Sequence, residues 1–182
     1  ISACLVGSEM CIRDSCGLAL LPSAMAQDLP PMPPTKGESL AGHPVVLPDA
    51  ASGKVAVLIF GFSKASRGPT SAWAGKFQAD LGTRPDFEVY QLPVLEAVPR
   101  LIRGMIISGM KKDVPENKRD HFVPILQGED ELKKFVHYNE PDDAYLVVLN
   151  RSGKPVEMIH GAASDASYAQ LRSRIESVLN QK

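Results

Sequence analysis

Residues 144–159 read AYLVVLNRSGKPVEMI, two apolar runs on either side of a four-residue turn. Residues 144–149 predict a buried strand, because a short uninterrupted apolar run leaves no face for water. The turn at residues 150–153, Asn-Arg-Ser-Gly, has residues that reverse a chain between two strands. The stretch therefore predicts a β-hairpin whose second strand is residues 155–159.

A helix is predicted after the hairpin. Ser164 or Asp165 can cap its first turn. Apolar side chains then recur at helical spacing and predict one inward face: Tyr168, Leu171, Ile175, Val178 and Leu179. The chain therefore closes on a hairpin followed by an amphipathic helix.

Strands and helices alternate upstream of the hairpin. Residues 55–60 are another uninterrupted apolar run and predict the central strand. A helix follows, capped by Thr70 or Ser71 and ended by Gly82. Its apolar face comprises Trp73, Phe77 and Leu81. Residues 87–92 then predict a further strand, so the pattern is that of an α/β domain.

Two more elements are predicted before the hairpin, followed by a short helix. Pro99 suits the first turn of a helix. The residues predicted to face inward from this helix are Leu101, Ile102, Met105, Ile106 and Met110. Residues 122–126 predict an edge strand, because Pro124 cannot donate a hydrogen bond to a sheet. Residues 129–138 are expected to be helical.

This order of elements resembles the thioredoxin-like superfamily in its peroxiredoxin and exported thiol-reductase form. Residues 144–156 are similar to the strand, Asp-x-x-Gly turn and strand of that superfamily, with Asn150 at the usual Asp. The resemblance covers residues 43–180. It implies a three-layer sandwich: a central mixed sheet with helices on both faces and a C-terminal β-hairpin plus helix.

Shorter pieces more specifically resemble the mitochondrial ATP synthase assembly factor family. They are residues 102–105 (IRGM), residues 109–115 (GMKKDVP) and residues 145–149 (YLVVL) with His160 and Gly161. This resemblance implies a helper in the assembly of another protein.

The positions of the cysteines argue against redox chemistry. The chain has three cysteines, Cys4, Cys11 and Cys16. Redox members of the superfamily carry thiols in the loop that here reads GFSKASRG, residues 61–68. Dithiol and peroxidatic reactions need a low-pKa thiolate at a helix N-terminus. Counting back from Gly153 also puts Ala144 where those members have a cis-proline. The sequence therefore predicts no catalytic residues.

The first 42 residues of the chain are expected to be a leader and a tether. Residues 1–26 read as a secretory signal peptide that ends in the small-x-small triplet Ala24-Met25-Ala26. A membrane anchor is the weaker interpretation, because the apolar run is shorter than the roughly 20 residues that span a bilayer. Residues 1–15 also resemble translated sequencing-adaptor contamination. Residues 27–42 are predicted to be a Pro-rich tether, and residues 43–182 are predicted to form the thioredoxin-like domain. The protein is therefore expected to be periplasmic or secreted.

The overall charge excludes some partners. The chain has 20 basic and 21 acidic residues, whereas nucleic-acid binding needs a clear cationic excess. The four histidines lack a second ligand at helical spacing, and no cysteine follows residue 16, so neither a metal nor a cofactor is expected. The mature chain is not expected to insert stably into a membrane, and the sequence does not determine its oligomeric state.

Two basic surfaces are candidates for ligand or partner binding. Ser63, Lys64, Ser66 and Arg67 precede a helix N-terminus, where an anion could bind; alternatively they are solvated loop and cap residues. The second group is Arg103, Lys111, Lys112, Lys118 and Arg119. Residues 109–121 would present most of that charge from a long connection, or would simply be a polar link.

These patterns favour an exported, redox-inactive thioredoxin-like protein that binds, as an assembly or folding helper, a protein partner in the cell envelope. The alternative is an enzyme, a diverged oxidoreductase of the thioredoxin or peroxiredoxin type that uses a non-cysteine site. A structural accessory domain is a third interpretation.

Overall fold

The computed structural model describes residues 29–181, so the predicted signal peptide lies outside the described residues. Six strands and four α-helices follow one another within this range. In chain order they are β1 (Thr35–Glu38), β2 (Pro44–Leu47), β3 (Val55–Gly61), α1 (Arg67–Leu81), β4 (Phe87–Pro93), α2 (Arg100–Asp113), α3 (Glu129–Phe135), β5 (Ala144–Leu149), β6 (Pro155–His160) and α4 (Asp165–Leu179). Short 3-10 helices span Asp49–Ala51 and Glu116–His121.

The main sheet has the strand order β4-β3-β5-β6. Strand β3 runs parallel to β4 and antiparallel to β5, and β5 pairs antiparallel with β6. The sheet is therefore mixed, and the apolar run that predicted the central strand is β3. At the end of β3, Gly61 pairs with Ala144 of β5.

Strand β3 contributes to a separate core on each face of the sheet. Val55, Val57 and Ile59 pack on the side covered by α1 and α4. The alternate residues face the other side, where they meet β2, α3 and residues 123–125. Every buried member of both cores lies between Met32 and Leu179. A chain that begins at Gln27 therefore keeps both described cores complete.

The helical layer of α1 and α4 is organised around Trp73. Its side chain is fully buried, and its indole N–H donates a hydrogen bond of 2.9 Å to the Gly161 carbonyl. The ring lies 5.8 Å from that of Phe77, which in turn lies 5.3 Å from Tyr168 of α4. The predicted inward faces of α1 and α4 are both confirmed.

The closing hairpin and helix also match the sequence prediction. The Asn150 side-chain oxygen accepts hydrogen bonds from the Ser152 and Lys154 amides, which holds the turn. Ser164 caps α4 by accepting from the Ser167 amide at 3.0 Å, and the Ser167 hydroxyl accepts from the Ser164 amide in return. Local side-chain chemistry thus sets both boundaries.

Helix α1 begins earlier than predicted. It starts at Arg67 instead of after Thr70 or Ser71. The Thr70 hydroxyl donates to the Arg67 carbonyl, so Thr70 lies inside the first turn and does not cap it. Ser66, which precedes the first helical residue, is held by hydrogen bonds to Ser63, so the local structure of the loop fixes an earlier start than the hydroxyl pattern predicted.

The predicted tether is partly incorporated into the fold. Residues 35–38 form β1, which pairs antiparallel with β2, and both Met32 and Leu40 are buried. An added Cβ at Gly37 would lie 2.6 Å from the Val123 side chain, so β1 packs tightly against the body. The proline-rich composition hid this pairing, because it depends on a partner strand.

Three of the five residues predicted to face inward from α2 are exposed in the structure. Leu101 is 97% exposed, Met105 is 74% exposed and Ile102 is 42% exposed, and α2 contains no buried residue. The other two, Ile106 and Met110, are half-buried, as are Arg103 and Ile107. Helical periodicity shows that apolar residues share a stripe, but it does not show whether the protein covers that stripe.

Residues 122–126 run along the outer edge of β4 without forming a continuous strand. The Val123 and Ile125 amides each donate at 2.9 Å, to the carbonyls of Gln91 and Pro93. Pro124 stands between these two donors, at a position that needs no N–H toward β4. The expected edge pairing is therefore present as two isolated bridges.

We expect Trp73→Ala to lower the free energy of unfolding by about 3–5 kcal/mol, since it removes a fully buried aromatic side chain and leaves a cavity. The matched control is Leu101→Ala, which we expect to change it by no more than about 0.5 kcal/mol because Leu101 is exposed. Urea unfolding monitored by far-UV circular dichroism, a signal that does not rely on tryptophan fluorescence, measures both free energies. Comparable losses in the two variants would contradict this assignment of the core.

Candidate functional site

The loop between β3 and α1 is built on two serines. The Ser66 hydroxyl donates a hydrogen bond of 2.9 Å to the Ser63 carbonyl, and the Ser66 amide donates one of 3.1 Å to the Ser63 hydroxyl. Ser66 is only 1% exposed. The spacing Ser-x-x-Ser equals that of the Cys-x-x-Cys motif of thiol-disulfide enzymes. Hydroxyls thus stand at both positions and hold the loop by hydrogen bonds.

Gly61 makes room for this arrangement. An added Cβ at Gly61 would lie 2.7 Å from the Ser66 oxygen and 3.2 Å from a methyl carbon of Thr70. A larger residue at the end of β3 would therefore push the buried serine out of place. Strand β3 and the loop are consequently coupled through a single close approach.

The second wall of the site comes from the segment that leads into β5. The Ser63 hydroxyl donates at 3.0 Å to Asp142, and His160 at the end of β6 lies 2.8 Å from Asp143. Ala144 follows, fully buried, at the position where redox relatives are expected to carry proline. No local sequence pattern marks Asp142 and Asp143 as site residues, because only folding brings them to the loop.

Aromatic rings support the same end of the sheet. Phe62 lies 5.1 Å from Tyr138 and 5.5 Å from Tyr145, and the Tyr145 ring stacks on His160 at 5.3 Å. The Tyr145 hydroxyl accepts hydrogen bonds from the amides of Asn139 and Glu140, which anchors the incoming segment. The result is a rigid surface of hydroxyls, carboxylates and ring edges.

This chemistry suits binding better than covalent catalysis. Serine hydroxyls cannot form a disulfide, and a nucleophilic serine needs an adjacent general base. The hydroxyl of Ser63 contacts a carboxylate, which is a weak base at neutral pH. Within residues 29–181, no group of three His, Cys, Asp or Glu side chains is placed to hold a metal ion.

The cations predicted for this loop have different surroundings. Arg67 pairs with Asp113 at the end of α2, with 2.8 Å between nitrogen and oxygen. Lys64 is exposed and makes no ion pair within the part of the chain described here. The Arg67–Asp113 pair connects this loop to α2, so the two basic regions predicted separately are neighbours. Anion binding at the loop stays a prediction.

The second basic group is more ordered than predicted. Lys111 and Lys112 lie in the last turn of α2, and Lys118 and Arg119 lie in the 3-10 helix, so residues 109–121 are not one long irregular connection. Short helical segments around Pro115 replace the expected loop. Lys111, Lys112 and Lys118 remain exposed.

The two arginines of this group hold the backbone. The guanidinium of Arg103 donates at 2.7 Å to the Val98 carbonyl and also to that of Glu96. Arg119 donates at 3.1 Å to the Val114 carbonyl. Their contacts are those of structural residues, which makes the lysines better candidates for binding.

A half-buried carboxylate, Glu88, fastens the 3-10 helix to β4. Glu88 lies 3.5 Å from His121, accepts at 2.8 Å from the Tyr90 hydroxyl and pairs with Lys54. The hydrogen bond from His121 chiefly lowers the pKa of Glu88 to about 2, against the opposing effect of burial. Burial, followed by the hydrogen bond to Glu88, raises the pKa of Tyr90. No sequence pattern signalled this cluster, because its members come from separate elements.

The fold is similar to several solved structures at low sequence identity. A SCO1/SenC family lipoprotein from Bacillus anthracis str. Ames matches with a TM-score of 0.59 at 15% identity, over 88% of this chain and 99% of that one. BsSco, a member of the Sco family of cytochrome c oxidase assembly proteins, matches with a TM-score of 0.56 at 14% identity, over 85% of this chain and 98% of that one. The exposed lipoprotein thioredoxin Etrx1 of Streptococcus pneumoniae strain TIGR4 matches with a TM-score of 0.56 at 13% identity, over 80% of this chain and 99% of that one.

These similarities show a thioredoxin-like α/β fold with a mixed central sheet flanked by helices, as the sequence predicted. No protein-family model matches the chain, and no curated protein matches it. None of the helices within residues 29–181 has the length and apolar character needed to cross a bilayer.

We expect Glu88→Gln to destabilise the protein by about 1–2 kcal/mol at pH 7, a value reduced for solvent screening. The folded pKa of Glu88 lies below its ordinary value of 4.5. Its stabilisation is therefore present above pH 4.5 and is lost as the pH falls toward 2. Urea unfolding across this range should show the wild type and the variant converging. The matched control is Glu131→Gln on the exposed side of α3; a similar loss there would contradict a specific role for Glu88.

Proposed function

We propose that this chain is an exported, redox-inactive thioredoxin-like protein that binds a cell-envelope protein and helps it to assemble or fold. The observation that carries the proposal is the pair Ser63 and Ser66, which occupies the spacing of a reactive dithiol and joins the loop by hydrogen bonds. With no cysteine after residue 16, the domain has the Ser-x-x-Ser spacing without the thiol chemistry.

The rigidity of the loop supports recognition of another protein. Ser66 is buried, Ser63 is tied to Asp142, and Arg67 is tied to Asp113, so little freedom remains to be lost on binding. Lys64 projects from this fixed frame as an exposed cation. Loops presented by a rigid scaffold are common recognition sites.

The similarity to other proteins supports the proposed helper role and the proposed location in the cell envelope. BsSco belongs to a family of assembly proteins, and two of the similar structures are lipoproteins. The short resemblance of residues 102–105 and 109–115 to an assembly factor family agrees with a helper role. Because these identities are low, they support the proposal only in combination with the serine loop.

We expect the purified chain from Gln27 to reduce insulin no faster than the uncatalysed background, because it offers no thiolate. The comparison variant, Ser63→Cys with Ser66→Cys, places two thiols at dithiol spacing. We expect it to form an internal disulfide on oxidation, detected as the mass loss of two hydrogens. Dithiol, peroxide or ester turnover by the wild type would instead favour the oxidoreductase alternative.

We expect Lys64→Glu to weaken recovery of an envelope partner while leaving the free energy of unfolding within about 0.5 kcal/mol, since Lys64 is exposed. The charge reversal should matter less at high salt, because screening weakens long-range attraction. Quantitative mass spectrometry of proteins retained on the immobilised chain measures the change. Lys134→Glu on α3 is the matched control, and equal effects of the two variants would refute a role for the loop.

A further inference from the structure

Helix α2 exposes an apolar patch that the rest of the domain does not cover. Leu101, Ile102 and Met105 are 97%, 42% and 74% exposed. Leu101 and Met105 are four residues apart, so they lie on the same side of the helix. Large apolar side chains grouped in this way on a surface mark an interaction site more often than isolated ones do.

Uncompensated positive charge accompanies this patch. Arg100, Lys111 and Lys112 are exposed and make no ion pair within residues 29–181. The acidic residue of the helix, Asp113, is already paired with Arg67. The helix thus offers three free cations and no free carboxylate.

The basic residues continue or flank the apolar row of α2. With 3.6 residues per turn, Leu101, Met105 and Lys112 fall on a single row, and Arg100 and Lys111 flank this row on one side, roughly 100° around the helix. The positions between them are small, and an added Cβ at Gly104 or Gly109 would touch nothing within 4 Å. These exposed residues, Arg100, Leu101, Ile102, Met105, Lys111 and Lys112, are termed the α2 surface.

We propose that the α2 surface binds the face of a lipid bilayer that carries anionic headgroups. The exposed apolar side chains would enter the boundary between headgroups and acyl chains, and the cations would meet the headgroup charge. This function goes beyond the binding of a protein partner at the serine loop. It requires no residue of that loop.

Two observations favour a bilayer over other occupants. Leu101 and Met105 are so exposed that they protrude from the surface instead of lining a groove that would receive a protein segment. Pairing with a second copy would bring two surfaces of free cations together, which is electrostatically unfavourable. An anionic bilayer matches both the protruding apolar residues and the charge.

Binding through so small a surface is expected to be reversible. A few inserted side chains and a few cations give weak attachment, comparable to anchors that need a second signal for stable binding. The α2 surface would therefore set the orientation of the domain at a membrane.

Co-sedimentation with vesicles tests the proposal, using the chain from Gln27, which keeps both described cores. We expect binding to vesicles of equal parts phosphatidylglycerol and phosphatidylcholine at low salt, and roughly tenfold or more weaker binding to pure phosphatidylcholine. Increasing the salt concentration should release the protein from the anionic vesicles.

Variants separate the apolar and electrostatic contributions. Leu101→Ser with Met105→Ser should weaken binding roughly tenfold or more, and Lys111→Gln with Lys112→Gln should weaken it roughly 30-fold. The matched charge control is Lys134→Gln with Lys154→Gln, outside the α2 surface, which should change binding by less than about threefold. Circular dichroism melts confirm that each variant is folded.

Three results would overturn the proposal: no binding to anionic vesicles, equal binding to neutral ones, or an equal loss in the Lys134 and Lys154 control. Light scattering adds a fourth. If the wild type dimerises and Leu101→Ser with Met105→Ser abolishes the dimer without affecting vesicle binding, the surface joins two copies of the chain. Loss of a protein partner in that variant, with no vesicle binding by the wild type, would assign the surface to protein recognition.

Discussion

The complete burial of strand β3 is the constraint on which the rest of the structure depends. All seven residues from Val55 to Gly61 are buried, between β4 on one side and β5 on the other. A strand with no exposed face needs cover on both sides of the sheet, and α1 with α4 supplies one layer while β2 and α3 supply the other. Because β3 is fixed in this way, the loop that follows Gly61 begins at a defined position at the end of the sheet.

At that place, Ser63 and Ser66 have the sequence spacing of a dithiol motif but carry hydroxyls instead of thiols. A low-pKa cysteine thiolate would be nucleophilic, whereas Ser66 contributes a hydroxyl that donates to the Ser63 carbonyl inside the loop. The same contacts that remove reactivity also remove flexibility. Such a loop can contribute to binding by shape and charge, since its ordering cost was met when the domain folded.

The sequence predicted those elements whose determinants are local. Uninterrupted apolar runs identified β3 and β5, and helical spacing identified the buried face of α4. It missed β1, whose residues become a strand only through pairing with β2, and it placed the apolar stripe of α2 inward. The carboxylate Glu88 and the contact between Ser63 and Asp142 also went unseen, because each joins residues far apart in the chain. Pattern identifies amphipathic character, but tertiary packing decides which stripe is covered and which polar groups meet.

The exposed stripe of α2 and the serine loop are physically linked, although different residues form them. Arg67 leaves the first turn of α1 to pair with Asp113 at the last turn of α2, so the loop and the helix end share an ion pair. This pair is exposed at both partners, and such pairs contribute little stability. Its consequence is electrostatic, because it neutralises the Asp113 carboxylate that would otherwise offset the positive charges of Lys111 and Lys112. An occupant of the α2 surface and an occupant of the loop would then act on neighbouring parts of one rigid domain, each through its own side chains.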